Sequence, residues 1–157
     1  RRLAAAAAYI EVAAIDGRRR PPSAALEADA ASVPVLAVSQ RLRVPGDCAD
    51  LAKLALRWIG SIEQALSLVP EALLQLLVGA DSLRRPERLR DLLCVCGYVS
   101  GPDSAAQLTH LAEAQTALAA LDIKSVVALA KTSVEIPALV QAAQLAAIEE
   151  LIDSRRR

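Results

Sequence analysis

The sequence predicts an all-α protein, an elongated bundle of about seven helices, on three observations. Ala and Leu dominate a chain that is 54% hydrophobic, with no Phe, no Met and only Tyr9, Trp58 and Tyr98 as aromatics. These are side chains that a helix tolerates at little cost. Apolar residues recur at three- and four-residue spacing between capping residues and prolines. No stretch alternates as a strand does, except weakly over 33–38.

The elements follow in order. Residues 1–17 read as an N-terminal helix, with Leu3 to Ile15 as its body and Gly17 just past its end. Residues 18–32 form a linker and a weak helix: Arg18-Arg19-Arg20-Pro21-Pro22 repels itself and lacks two backbone donors. The bundle domain is expected over 33–157. Ser32 caps a helix running to about Arg43, with Pro34 in its first turn. Asp47 caps the next, whose stripe is Leu51, Leu54, Trp58, Ile62, Leu66 and Val69, with a bend expected at Gly60. Pro70 opens a segment apolar nearly all round, expected to be the most buried. After a break over 79–85, Pro86 begins a helix that Ser100-Gly101-Pro102 ends, with Ser100 expected to cap the long helix that follows to Leu121. Asp122 caps a short helix. Thr132 and Glu135 have capping-box spacing before the last one.

Charge excludes some classes of partner. With 18 basic and 18 acidic residues and a formal net charge of zero, there is no global field to draw in nucleic acid or anionic membrane. The Leu3 to Ile15 run after Arg1-Arg2 has the look of a signal peptide, but Glu11 interrupts it and no cleavage region follows. No apolar run reaches the roughly 20 residues of a membrane span. Three cysteines without paired spacings fit a reduced, intracellular protein, in the cytoplasm or nucleus. The chain starts without Met, which predicts a segment of a larger protein.

Groups that could do chemistry are few. Cys94 and Cys96 stand two apart, and on a helix they point about 200° from one another, so they do not grip one ion. Neither a metal nor a cofactor is expected, and Cys48 and His110 do not complete a ligand set. His110 has Gln107 and Glu113 one turn away, but no nucleophile placed for it to activate. It is read as a surface or boundary histidine. Gly97 and Gly101 make a Gly-x-x-x-Gly spacing of little weight outside membranes. Arg84, Arg85, Arg88 and Arg90 form a candidate basic patch, diluted by Glu87 and Asp91 and without interleaved aromatics. No catalytic residues are predicted, and the chain is read as no enzyme.

The texture of the run from Arg18 to Ala31, with Arg84-Arg85-Pro86-Glu87-Arg88-Leu89-Arg90, resembles GC-rich alphaherpesvirus structural proteins, above all a helical portion of the large inner tegument protein. The resemblance implies extended helices that scaffold a virion layer between capsid and envelope. High-GC bacterial proteins share the same Arg-over-Lys, Ala-rich bias.

The leading expectation is therefore a non-catalytic scaffold or protein–protein interaction module. Its candidate surface is Leu108, Leu111 and Leu118 on one helix, with Leu139, Val140, Ile148, Leu151 and Ile152 on another. It would bind a protein partner or a second copy, with nucleic acid argued against and no membrane. Internal packing of these two seams on each other is the competing reading. An adaptor that uses the Arg cluster to bind nucleic acid or a phosphorylated partner is the alternative function. An inactive-looking fragment of an enzyme whose site lies elsewhere is a third.

Overall fold

The computed structural model describes residues 45–156. The predicted N-terminal helix, the Arg/Pro linker, the Ser32-capped helix and the weak strand candidate all lie outside them. Six α-helices make up the described part, with no strand among the described residues: α1 (Gly46–Glu63), α2 (Pro70–Gly79), α3 (Pro86–Ser100), α4 (Ala105–Ala119), α5 (Ile123–Ala128) and α6 (Ile136–Arg156). Single 3-10 turns, Ala65–Ser67 and Pro102–Ser104, precede α2 and α4.

Local chemistry sets most of the boundaries. Pro70 and Pro86 stand at the first positions of α2 and α3, where a missing N–H costs nothing and φ is already helical. Gly101 ends α3 with φ +78°, and its N–H reaches the Gly97 carbonyl at 3.1 Å. Asp122 caps α5 as expected, accepting from the backbone of Lys124 and Ser125 at 3.1 and 3.3 Å. Other caps differ from expectation. Pro45 precedes α1 and Asp47 lies inside its first turn, accepting from the Cys48 N–H at 3.0 Å. The Ser100 hydroxyl donates instead to Glu63 Oε1 at 2.8 Å, tying α3 to the end of α1. Glu135 accepts from the Lys131 N–H at 3.0 Å, one residue before the expected box partner. The long stripe expected to run to Val69 breaks at Glu63: the 3-10 turn Ala65–Ser67 follows, and the chain is extended at Leu68 and Val69 before Pro70.

Helix α4 sits at the centre, touching α1, α2, α3 and α6, while α5 packs on α6. Leu111, Ala114 and Leu118, three and four apart, form its buried face. Ala114 has too little side chain to hold neighbours away. Leu73, Leu76 and Leu77 of α2 are fully buried, and Leu89, Leu92, Val95 and Cys96 of α3 close the core. Each fully buried leucine contributes about 1.5–3 kcal/mol, so a core with few aromatics holds by number rather than by size.

Candidate functional site

The sequence-predicted seams come first. Leu111, Leu118 and Ile148 are buried in the core, and Leu108, Leu151 and Ile152 pack half-buried against it. Leu139 and Val140 are half-buried on α6. The two seams therefore face inward together, and Leu111, Leu118 and Ile148 present no surface to a partner.

The four arginines do reach the exterior. Arg84, Arg85 and Arg90 are exposed and Arg88 is half-buried, at the mouth of α3. Their loop is held from inside. Ser82, fully buried, donates its hydroxyl to the Leu77 carbonyl at 2.7 Å, and its own carbonyl accepts from Gln115 Nε2 of α4 at 3.0 Å. Asp81 adopts φ +55°, a left-handed conformation that Asp bears better than most residues, and its carboxylate meets Arg85 Nε at 3.6 Å. Gln115 had only the spacing of a seam residue in the sequence, so nothing local announced its role as a loop clamp.

The thiols and the imidazole sort by burial. Cys96 is sealed and its thiol is pushed up to about 12 by burial, which makes it inert. Cys94 is exposed and Cys48 is buried. No group of three or more His, Cys, Asp or Glu that could hold a metal occurs among the described residues. His110, read as a surface or boundary residue, is only 3% exposed, so its ring is buried rather than on the surface. Its Nδ1 has no hydrogen-bond partner. Burial lowers its pKa first, the Arg155 charge lowers it further, and Glu113 opposes them. Glu113 does not orient the ring but pairs with Arg155 Nη2 at 2.6 Å.

His110 also forms part of a cleft of about 570 Å³. Its walls are the turn over 66–70 and the end of α6, which brings in Glu149, Ile152, Asp153, Arg155 and Arg156. Leu66 and Val69 remain half-open to solvent beside it. Apolar walls, a buried ring and charges of both signs thus converge from three stretches of chain. No described helix is long and apolar enough to cross a membrane.

The chain is similar to a segment of bacterial proteins named for CCA. It is 37% identical over 122 residues to the Multifunctional CCA protein of Dechloromonas aromatica, covering 73% of this chain and 29% of that one. It is 35% identical over 118 residues to the CCA-adding enzyme of Pseudomonas putida, covering 73% of this chain and 32% of the enzyme. A shorter match, 46% over 63 residues, joins 40% of the chain to 16% of the Multifunctional CCA protein of Laribacter hongkongensis. The chain thus spans less than a third of the length of the first two. No protein-family model matches it, and no solved structure does.

These relatives overturn several expectations. The tegument resemblance is wrong: it rested on a GC-rich texture that unrelated lineages share, whereas the identity to the CCA proteins is residue by residue. With it go the virion setting and the non-catalytic scaffold reading. The reading as no enzyme falls too, because a relative is named an enzyme and a stretch under a third of its length need not carry reacting groups. The argument against nucleic acid used net charge, which is blind to a local patch, and the likeness to a CCA-adding enzyme overturns it.

Proposed function

We propose that this chain is a helical segment of a CCA-adding enzyme acting on tRNA in the cytoplasm, and that these helices hold the RNA rather than carry out nucleotidyl transfer. The observation that carries the reading is the 37% identity spread over 73% of the chain. The surface supports the holding role. Arg84, Arg85, Arg88 and Arg90 offer planar, permanently charged forks to phosphate oxygens. Their loop is clamped by Gln115 and Ser82, so less ordering is needed on binding. With a formal net charge of zero, any attraction to phosphate is local rather than global.

The test is binding of the 157-residue chain to tRNA lacking its CCA end, across a range of salt. Each phosphate contact steepens the log–log salt dependence by roughly 0.9. Replacing Arg84 and Arg90 together by Gln flattens it by about two contacts and weakens binding evenly over different tRNAs. Absence of salt-dependent binding, or a slope unchanged in the double variant, overturns the holding role.

A further inference from the structure

We propose that the cleft between the 66–70 turn and the end of α6 receives one unpaired guanine base of RNA. This rests on the RNA reading above and adds a base-specific subsite to it. At about 570 Å³ the cleft falls within the roughly 300–1,000 Å³ of small-ligand sites and has room for a base with its ribose. Its lining matches the three chemical parts of a nucleotide. Val69, 59% exposed, and Ile152 give apolar contact to the faces of a base. His110, almost wholly buried, closes the floor of the cleft with a ring whose Nδ1 has no hydrogen-bond partner and whose pKa burial lowers.

Base identity follows from the carboxylates. Glu149 and Asp153 are one helical turn apart on α6 and both line the cleft. A carboxylate only accepts hydrogen bonds. Guanine presents two adjacent donors, N1–H and the 2-amino group, on its Watson–Crick edge and meets a carboxylate with both. Adenine and cytosine offer only an amino group there, beside a ring nitrogen that repels the second oxygen. Glu149 has no ion pair among the described residues, whereas Asp153 already has Arg156 Nη1 at 3.9 Å. Glu149 is therefore the reader of the base, and Arg156, 77% exposed, is placed for the phosphate.

His110 is the only histidine, so its imidazole resonances report this cleft without overlap. The experiment titrates the 157-residue chain with GMP, AMP and inorganic phosphate while those resonances are followed. GMP is expected to shift them saturably, with AMP at least tenfold weaker, since a bidentate base contact discriminates by about that factor or more. Glu149→Gln, at an exposed position, keeps the fold and loses the preference for GMP. Ile152→Trp, filling the cleft, removes the shift. Equal affinity for GMP and AMP, no shift at His110, or the same shift with phosphate alone overturns the base subsite. In those cases salt-dependent tRNA binding that still answers to Arg84 and Arg90 leaves the broader RNA reading standing. GMP binding intact in a chain that ignores tRNA supports the subsite as a nucleotide site and overturns that broader reading.

Discussion

Helices α2 and α6 both carry apolar side chains and differ in how many they bury. The first buries four leucines within ten residues, while the second, 21 residues long, buries only Ile148. Helix α5 buries none. Composition accounts for part of this, since leucines surround α2 whereas charged and polar residues interrupt α6. Position adds to it. Helix α2 lies against α4 and α6, and α6 runs along α2, α4 and α5, yet all but one of its residues stay exposed or half-buried. An apolar stripe states which face of a helix turns inward. How many sides are covered depends on neighbours that local sequence does not name.

Truncation separates the two regions most sharply. Leu76→Ala and Leu111→Ala each open a void in fully buried surroundings and should cost about 2–5 kcal/mol in denaturant unfolding. Val140→Ala on the half-buried flank of α6 should cost less than about 1 kcal/mol. Equal losses at the three positions would mean that the perimeter is as tightly packed as the centre. Placing Glu at Leu111 strands a charge where it cannot be solvated and should unfold the chain, while Glu at Leu151 should leave it folded.

The clamp on the Arg loop should give the next effect. Gln115→Ala leaves the carbonyl of buried Ser82 without its donor, a loss of about 1–3 kcal/mol. The same variant should weaken tRNA binding without altering its salt slope, because the arginines remain but are less well held. A changed slope would show that Gln115 acts on the phosphate contacts themselves.

The two regions also titrate apart. The folded pKa of His110 lies below its ordinary 6.5, so its contribution to stability is present above pH 6.5 and is lost as pH falls through the folded value. Asp122, at the perimeter, is lowered from 3.8 by its bonds to Ser125, and its contribution disappears only in stronger acid. Stability measured by denaturant unfolding should fall from pH 7 to pH 5 in the native chain and stay flat in His110→Gln. A slope that survives the substitution would place the titrating group elsewhere.

How much was legible follows the same division. The caps and prolines that start α2, α3 and α5 were readable because they act within four residues. Burial of α2 was readable because leucines surround it. The Ser100–Glu63 and Gln115–Ser82 bonds were not, as they join residues 37 and 33 apart. His110 gave the pattern of a boundary residue because the helix that covers it begins 26 positions later, at Ile136. The cleft is assembled from three separated stretches and has no motif. The likeness to CCA proteins was hidden because no motif of reacting groups is legible in this sequence, and its Arg-rich, Ala-rich bias pointed to genomes rather than to chemistry.

The smallest effect tests the joint between the two regions. Arg155 of α6 reaches Glu113 of α4, with Nη2 at 2.6 Å and Nε at 3.2 Å from the same carboxylate oxygen. Geometry alone would rank this among the strong contacts, since charged hydrogen bonds this short are. The side chains remain 33% and 45% exposed, however, so water and salt screen them. A long arginine also gives up rotamer freedom to hold the position. A double-mutant cycle on Arg155→Gln and Glu113→Gln should therefore return a coupling of about 0.2–1 kcal/mol, shrinking as salt is raised to 1 M. A coupling of several kcal/mol that ignores salt would mean that this end of α6 is sealed onto α4 away from water, and the distinction between centre and perimeter would not hold there.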